Sequence, residues 1–313
     1  MKNLICLSKS RYNKSYMVSL KIAILESINM KNTNFEKTKF PVKFLETLDG
    51  GTAHVILFSD DKKYVVKWNA TSNKRAKEVV NEYVAGNLAM LLSLPVVPFE
   101  LVYIPADFIS NTPKLKSKKH TFNPGCHYAC LFIENSIELS ELNKSLPSKT
   151  DVINHEMLAA MVVFDHWVHN IDRTMSNLLL EKRNNEVFYV HLIDHGKCFP
   201  GGYNWSVNTL RTKSNDGLPF RETYHWVFSI LNEEDFTPFV EKIINLPNER
   251  IFEVIRSIPE EWQVSKEESE ALFQYLVKQK NQLPDLVANF IEQYKNNLIN
   301  KKKEKKLKKK KKK

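Results

Sequence analysis

The chain has few cysteines and no long apolar segment. Its four cysteines include no Cys-x-x-Cys pair and are too sparse for a disulfide-rich scaffold, which is the usage expected in the reducing cytoplasm. No apolar run reaches the roughly 18 residues that a transmembrane helix requires. The run 17–25 is interrupted by Lys21 and lacks a small-residue cleavage site, so it is not predicted to be a signal peptide. These absences argue against a disulfide scaffold and against a membrane-spanning protein.

An excess of positive charge is also missing from most of the chain. The net charge of +10 is carried entirely by residues 301–313, which hold eleven lysines and one glutamate. Residues 1–300 balance 35 basic against 35 acidic side chains, so they lack the basic footprint of a nucleic-acid-binding protein. The lysine tail is predicted to be disordered. It predicts only a non-specific contact with an anionic partner, either nucleic acid or a membrane surface.

Glycine is scarce as well, with eight residues in 313, so the positions of the glycines are informative. Five of the eight are Gly50, Gly51, Gly196 and the pair 201–202. A Gly-Gly pair before a strand is most often a turn. The alternative for Gly50, Gly51 and Thr52 is a phosphate-binding loop, since glycine lets backbone amides approach a phosphate closely.

The hydrophobic pattern divides the chain into four segments. Residues 1–36 are polar without a stable period and predict a flexible arm. Residues 37–135 predict a β-rich lobe with one helix, and residues 136–300 are mainly helical. Residues 301–313 are the lysine tail. The predicted fold class is therefore α+β, with a small β-rich N-lobe followed by a larger helical C-lobe.

Individual elements follow from the same pattern. In the first lobe it predicts strands at 55–58, 64–68, 101–104 and 128–133, and a helix at 74–93. In the second lobe it predicts paired strands at 178–180 and 187–193. A helix capped by Thr150 or Asp151 is predicted to bury Ile153, Met157, Ala160, Met161, Phe164 and Val168. The last helix is predicted to run from about Pro284 into the lysine tail.

Three polar residues have the spacing that phosphoryl transfer from ATP requires. Asp172 and Asn177 form the Asp-x-x-x-x-Asn pattern of a kinase catalytic loop, and Asp194 opens a later Asp-His-Gly. In such a site one carboxylate orients the attacking hydroxyl, while an amide oxygen and a second carboxylate hold magnesium (Mg²⁺). Turn and cap positions are the alternative for these residue types. Asn177 and Asp194 end predicted paired strands, however, where a rigid scaffold fixes two oxygens near one ion.

Two further residues match the same chemistry in the same order along the chain. Lys67 ends a Val-Val-Lys strand, and Glu82 lies fifteen residues later inside the predicted helix. A lysine that touches nucleotide phosphates is held forward by such a helix carboxylate. In isolation, either would be an ordinary surface residue. Arg173 is expected to anchor the catalytic loop or to pair with a carboxylate, and His169 and His195 are expected to be structural hydrogen-bonding residues.

These motifs resemble the HipA-like kinase family of bacteria. The patterns are Asp-Arg-x-x-x-Asn, Ile-Asp-His-Gly, Tyr-Val-Val-Lys and Asn-Glu-Tyr-Val-Ala, and the resemblance covers about residues 40–230. It implies a bilobal protein-kinase-like fold, shared with phosphatidylinositol kinases, with ATP and Mg²⁺ as cofactors. It also implies the following roles: Asp172 as catalytic aspartate with Arg173 beside it, Asn177 and Asp194 as magnesium ligands, Lys67 and Glu82 as the phosphate-contacting pair, and Phe132, Ile133 and Glu134 as the connection that contacts adenine.

The chain departs from that family in two respects. Its phosphate loop lacks the full Gly-x-Gly-x-x-Gly, which predicts fewer main-chain contacts with phosphate. It also lacks a segment matching the extra N-terminal subdomain of HipA toxins, so an antitoxin partner is not assumed. In some family members a serine of the phosphate loop is autophosphorylated; here only Thr52 and Ser59 are near, and neither matches it.

The resemblance implies a serine/threonine protein kinase that uses Mg²⁺ and ATP, with a protein as its second substrate. A phosphatidylinositol-like lipid kinase or a small-molecule kinase is the alternative enzyme, since Asp-Arg-x-x-x-Asn also resembles those enzymes. A third hypothesis is an inactive kinase-shaped binding protein whose lysine tail holds nucleic acid or membrane.

Overall fold

The structure is a computed structural model that describes residues 39–48, 50–142, 145–183, 187–212 and 217–310, with residues 297–310 described by their backbone alone. The predicted flexible arm at residues 1–36 lies outside this part of the chain. Secondary structure in the described residues begins at Pro41.

An antiparallel sheet of five strands forms the first lobe. The strands are β1 (Pro41–Thr47), β2 (Ala53–Phe58), β3 (Lys63–Lys67), β4 (Phe99–Ile104) and β5 (Gly125–Leu131), in the spatial order β1-β2-β3-β5-β4. Strands β2 to β5 confirm the four strands predicted in this lobe. Strand β1 is not apparent in the sequence, because Pro41 begins it and two register shifts against β2 interrupt its alternation.

Helix α1 (Glu78–Leu91) packs on the cleft side of this sheet and is apolar on nearly all sides. Eleven of its fourteen residues are buried, as expected of a helix without a polar face. The helix ends before Ser93, which adopts a left-handed conformation with φ of 60°. Because Asn81 and Glu82 are buried in this apolar helix, their polar atoms must find partners inside the protein.

The second lobe combines a small antiparallel sheet with most of the helices. Its strands, in spatial order, are β6 (Ser136–Glu138), β7 (Leu178–Lys182) and β8 (Phe188–Leu192). A short helix α2 (Ala106–Ser110) follows β4, and the second lobe contributes α3 (Met157–Val168), α4 (Val207–Thr212), α5 (Glu222–Ile230), α6 (Thr237–Ile244), α7 (Asn248–Arg256) and α8 (Lys266–Lys310). The β7–β8 pair and the α+β fold class are as predicted.

The first helix of the second lobe begins later than predicted. Residues Lys149–Asp151 form a separate 3-10 turn capped by Ser148, and helix α3 starts at Met157. Ile153 therefore lies outside the helix and is 50% exposed, so its predicted burial is wrong. The Ser148–Asp151 capping box uses the same residue types that begin a longer helix, which explains the error.

The last helix begins earlier than predicted and, as predicted, runs into the lysine tail. Helix α8 begins at Lys266 after a Ser265–Glu268 capping box and passes through Pro284, where the sequence predicted a start. Leu283 and Val287 are buried in the main core on either side of the proline, so packing outweighs the lost hydrogen bond. The backbone stays helical to Lys310, against the predicted disorder, because lysine is a good helix former and no proline or glycine follows. Within the described residues, no helix is apolar over a length that would cross a membrane.

One hydrophobic core continues through both lobes. It joins α1 and the inner side of β5 with α3, β7, β8 and the helices after them. A second, smaller core covers the opposite side of the first sheet, around Phe58, Val66 and Trp68. The continuous core fixes the loops that follow α3 and β8 against helix α1, and these loops carry the residues singled out by their spacing.

Candidate active site

The loop between α3 and β7 holds the main chain of Asp172 from both sides. Helix α3 ends at His169, whose φ of 53° reverses the chain. The Asn170 side-chain oxygen accepts a bond from the Asp172 N–H at 3.1 Å. The Asp172 carbonyl accepts bonds from the Thr174 N–H at 2.7 Å and from Asn177 Nδ2 at 2.6 Å. The carboxylate of Asp172 therefore projects from a backbone that is fixed by three neighbours of its own loop.

Asn177 and Asp194 are brought together by the pairing of β7 with β8. Each residue lies at an end of this pair, where Leu178 faces Leu192, and the Ile193 N–H bonds to the Asn177 carbonyl at 3.3 Å. Because Asn177 Nδ2 is bound to the Asp172 carbonyl, the amide oxygen of Asn177 is the atom that could serve as a metal ligand. A carboxylate and an amide oxygen suit a hard cation such as Mg²⁺.

This donor set fits magnesium better than a metal held by protein alone. Among the residues that the structure describes, no group of three or more His, Cys, Asp or Glu side chains is placed to hold a metal ion. Magnesium is commonly held by one or two carboxylates, with substrate phosphates and water as the other ligands. Asn177 and Asp194 would provide the protein part of such a set.

Lys67 joins the two lobes at the centre of the site. Its ammonium lies 2.5 Å from Glu82 Oε1 and 3.0 Å from Asp194 Oδ1. Strand β3 supplies the lysine and helix α1 the glutamate, as the sequence predicted, while Asp194 comes from the loop after β8. Glu82 uses its other oxygen to accept the His195 N–H at 3.0 Å. The glutamate thus links Lys67 to the Asp-His-Gly loop.

The electrostatics of this cluster favour a charged lysine and a charged Asp194. Burial alone would lower the pKa of Lys67, but the carboxylates of Asp194 and Glu82 hold it well above its usual value. Burial alone would likewise raise the pKa of Asp194, but the positive charge of Lys67 keeps it well below its usual range. Glu82 is more deeply enclosed, and burial raises its pKa to about 7 against the attraction of Lys67.

Arg173 lies behind the cleft and not in it. Its fully buried guanidinium bonds to the Asp165 carboxylate, with Nε 3.0 Å from Oδ2, and Nη1 donates to the carbonyls of Asn177 and Ile193 at 3.0 and 2.8 Å. The sequence predicted that Arg173 would either anchor the catalytic loop or pair with a carboxylate. The contacts fit both roles, since the guanidinium bonds to loop carbonyls and to Asp165. Arg173 has no exposed surface, which fits a residue that positions the catalytic loop without touching a substrate.

Asp165 was not singled out from the sequence, although it holds Arg173 in place. It also accepts bonds from Asn170 Nδ2 at 3.0 Å and from the Tyr224 hydroxyl at 3.2 Å. Burial raises the pKa of Asp165, and the opposing charge of Arg173 limits that rise. The only signal for this residue is an aspartate inside the apolar sequence of α3.

Asn81 is a second residue that the sequence did not single out. Its Nδ2 lies within hydrogen-bond distance of three carbonyls, those of Gly196 at 2.7 Å, Cys198 at 3.1 Å and Gly202 at 3.0 Å. Its Oδ1 accepts the indole N–H of Trp205 at 2.6 Å. Helix α1 thus fixes the whole segment after Asp194. Gly196 allows this close approach, since an added Cβ would lie 3.1 Å from Glu78 Cγ and 3.2 Å from Glu82 Oε1.

The residues predicted to bind phosphate and adenine lie in two connections, the turn between β1 and β2 and the segment after β5. Gly50, Gly51 and Thr52 lie in the turn between β1 and β2, where both glycines have positive φ values of 87° and 73°. In the connection after β5, the Phe132 N–H bonds to the Lys63 carbonyl at 2.9 Å, and the Ile133 carbonyl accepts the Ser136 hydroxyl at 2.7 Å. Two backbone groups predicted for adenine are therefore already engaged within the protein.

Glu134 and His195, two other residues that the sequence indicated, contact neighbouring side chains. Glu134 forms an exposed ion pair with Lys63, at 2.8 Å. His195 is buried, with Nε2 3.2 Å from Arg173 Nη2. Burial and the neighbouring Arg173 hold the pKa of His195 well below its usual value, so the imidazole is neutral. This contact agrees with the structural role expected for His195.

The chain resembles known kinases in its sequence family and in its fold. A family model described as HipA-like kinase matches residues 48–290. No curated protein sequence matches the chain. The crystal structure of CtkA, a proinflammatory kinase of Helicobacter pylori, aligns with a TM-score of 0.51 at 16% identity, covering 78% of this chain and 94% of that one. This likeness shows that the fold is that of a kinase.

Two other solved structures are similar over most of the chain. The Golgi casein kinase with Mn/ADP bound aligns with a TM-score of 0.48 at 13% identity, covering 87% of this chain and 76% of that one. HipA of Shewanella oneidensis MR-1, in complex with HipB and operator DNA, aligns with a TM-score of 0.42 at 10% identity, covering 90% of this chain and 82% of that one.

Proposed function

Since the chain belongs to the HipA-like kinase family, we propose that it is a serine/threonine protein kinase that uses magnesium and ATP. The ion cluster of Lys67 with Glu82 at 2.5 Å and Asp194 at 3.0 Å carries the proposal. In protein kinases a strand lysine held by a helix glutamate contacts the nucleotide phosphates, and the aspartate of the later loop binds the metal. Asp172 and Asn177 supply the opposite side of such a site.

The proposed reaction is a displacement at the γ-phosphorus of ATP. Asp172 orients the acceptor hydroxyl and receives its proton as the new oxygen–phosphorus bond forms. The bond from the γ-phosphorus to the bridging oxygen breaks, and ADP leaves with that electron pair. Bound magnesium, held by Asn177 and Asp194, would neutralise phosphate charge during the exchange.

The nucleotide would lie between the lobes, with its phosphates toward Lys67 and its adenine toward residues 132–134. The Gly50–Gly51 turn supports this placement, because the space where each Cβ would stand holds no atom within 4 Å. That space leaves the backbone accessible to a phosphate. The engaged Phe132 N–H and Ile133 carbonyl imply that adenine is held by the other groups of the connection.

Transfer of labelled γ-phosphate tests the proposal. Wild-type protein, magnesium and ATP would be incubated with a cell extract as a pool of acceptors, beside Asp172→Ala and a magnesium-free reaction. Label on serine or threonine of a protein band, absent from both controls, is the expected result. ATP binding without transfer to any acceptor would contradict a protein kinase. A chain that binds no ATP would be a kinase-shaped binding protein.

A lipid or small molecule is the second candidate acceptor. The observation that favours it is the run of eleven lysines in residues 301–313, since each contributes about 1 kcal/mol near an anionic membrane. Label that partitions into the organic phase, and that falls when residues 301–313 are deleted, would support a phosphatidylinositol-like lipid acceptor. Label that stays with protein after the deletion supports the first proposal.

A further inference from the structure

A lysine that the motifs did not indicate contacts the catalytic aspartate. Lys197 lies three residues after Asp194, and its ammonium is 2.7 Å from Asp172 Oδ2. The two side chains are 35% and 22% exposed, so the contact lies at the open side of the cleft. Lys67 is the inner cation of the site, and Lys197 is an outer one on the side where the acceptor must arrive.

The backbone of Lys197 is held rigidly, which distinguishes it from an ordinary surface lysine. Asn81 Nδ2 donates to the carbonyls directly before and after it, those of Gly196 at 2.7 Å and Cys198 at 3.1 Å. The Cys198 N–H closes the turn on the His195 carbonyl at 3.0 Å. Groups that stabilise a developing charge act best when they are in place before the reaction. The rigid turn holds the backbone from which the Lys197 ammonium extends.

The surroundings of Lys197 keep it directed toward the cleft. Its ammonium lies 5.5 Å from the ring centre of Tyr203, whose ring is also covered by the Arg75 guanidinium at 4.1 Å. Arg75 in turn pairs with Glu78, so its charge is compensated locally. Of the two cations near Tyr203, Arg75 pairs with Glu78 and Lys197 pairs with the catalytic aspartate Asp172.

We infer that Lys197 is a catalytic residue of the phosphoryl-transfer site, which orients the Asp172 carboxylate and presents a positive charge to the γ-phosphate of ATP. The inference rests on the proposed function. The contact uses Oδ2 of Asp172, so Oδ1 is the oxygen that receives the hydroxyl proton. The ammonium of Lys197 offsets the negative charge of the transferred phosphoryl group.

The kinetic test compares Lys197→Met, Lys197→Arg and a matched control, Lys149→Met, which removes an exposed lysine in the 3-10 turn of the same lobe. Lys197→Met is expected to lower kcat about 100-fold, the usual effect of removing one preorganised donor, and to raise KM for ATP several-fold. Lys197→Arg is expected to recover part of the loss, because it keeps the charge. Lys149→Met is expected to match wild type. An unchanged kcat in Lys197→Met would overturn the inference. An increased kcat would also overturn it, because it would mean that Lys197 blocks the acceptor site.

A binding measurement separates failure of the inference from failure of the proposed function. Calorimetry would give the Kd of magnesium-ATP and of magnesium-ADP for each variant. Lys197→Met is expected to weaken ATP several-fold and to leave ADP unchanged, since only ATP carries the γ-phosphate. Equal effects on both nucleotides would overturn the contact with the γ-phosphate. If wild-type protein binds ATP but transfers no phosphate, the proposed function fails. The ratio of the Kd values for ATP and ADP in Lys197→Met and in wild type still shows whether Lys197 contacts the γ-phosphate.

Discussion

Asp194 combines two tasks in one carboxylate. Its carboxylate pairs with the Lys67 ammonium at 3.0 Å. It is also one of the two side chains proposed to bind magnesium. Its positive φ of 56° turns the chain so that the carboxylate leaves β8 toward the cleft. A substitution that keeps the shape and removes the charge should therefore affect chemistry far more than folding.

Asp194→Asn is expected to lower phosphate transfer about 1,000-fold or more, because it removes both the metal charge partner and a counter-charge of Lys67. Circular dichroism on heating is expected to show a cooperative transition close to that of wild type. Asp285→Asn, at an exposed position of α8, is the matched control and should keep full activity. Substantial transfer by Asp194→Asn would contradict the assignment of the metal site.

Glu82 gives the site a predicted dependence on pH. Burial raises its pKa to about 7, and only the ionised form holds Lys67 by charge. As the pH falls through about 7, the carboxyl gains a proton and the ion pair is lost. The value of kcat/KM for ATP is therefore expected to fall on the acidic side of this pH.

The control for this pH step is Glu82→Gln, which retains the size of the side chain and does not titrate. Its activity is expected to be low at every pH and to lack the acidic step near pH 7. The measurement is initial rate against pH at low ATP for both proteins. If Glu82→Gln shows the same acidic step as wild type, another group titrates there.

At the scale of elements, helix α1 holds the loop that follows Asp194. Asn81 on this helix has its Nδ2 within hydrogen-bond distance of three buried loop carbonyls, and its Oδ1 accepts the buried indole N–H of Trp205. Polar groups left without partners inside a protein cost more than a hydrogen bond contributes when it forms. The single amide of Asn81 thus sets the position of a whole segment, including the turn that carries Lys197.

Asn81→Ala is expected to lower the free energy of unfolding by about 3 kcal/mol, since it leaves several buried groups unpaired. Asn87→Ala is the matched control, because Asn87 lies on the same helix and donates to one carbonyl only, that of Tyr83 at 2.8 Å. Its expected cost is about 1 kcal/mol or less. Urea unfolding followed by tryptophan fluorescence gives both values. Equal losses in the two variants would show that the Asn81 contacts carry no special weight.

The elements also show which features the sequence could predict. Short motifs, each confined to one strand, one helix or one loop, identified five of the site residues. These are Lys67, Glu82, Asp172, Asn177 and Asp194. Asn81 and Trp205 are 124 residues apart, and Asp172 and Lys197 are 25 apart, so no local pattern pairs them. Such contacts depend on tertiary packing, which periodicity alone does not contain.

Helix α8 shows the same limit from another direction. A proline inside a helical pattern locally predicts a boundary, which is why a start near Pro284 was expected. The buried side chains of Leu283 and Val287 continue the helix across that position. The burial of those neighbours depends on the facing helices, so the sequence around Pro284 could not reveal it.

At the scale of the whole molecule, one turn of the second lobe bonds directly to strand β5 of the first lobe. The indole N–H of Trp262 donates to the Cys126 carbonyl at 2.9 Å, and Glu261 Oε2 accepts the Cys126 N–H at 3.1 Å. Both backbone groups of one residue in β5 are thus bound by consecutive residues of a turn that is 135 and 136 positions away. This latch, formed by Glu261, Trp262 and Cys126, fixes the sheet of the first lobe relative to the helical lobe.

Opening of the latch can be separated from a general loss of stability by comparing two tryptophans. Trp226 also donates its indole N–H to a carbonyl at 2.9 Å, that of Pro147, but this bond lies within the second lobe. Trp262→Phe and Trp226→Phe each lose one buried hydrogen bond, so each is expected to lower the free energy of unfolding by about 1–2 kcal/mol. Only Trp262→Phe should also free β5 from the second lobe.

Hydrogen–deuterium exchange read by mass spectrometry distinguishes the two variants. Peptides that cover β5 are expected to exchange faster in Trp262→Phe than in wild type, while Trp226→Phe leaves them unchanged, because local opening follows the contacts that hold each segment. KM for ATP should rise in Trp262→Phe alone, since Lys67 pairs with β5 through Tyr128 and moves with this sheet. Equal exchange of β5 in the two variants would mean that the continuous core, and not the latch, holds the lobes together.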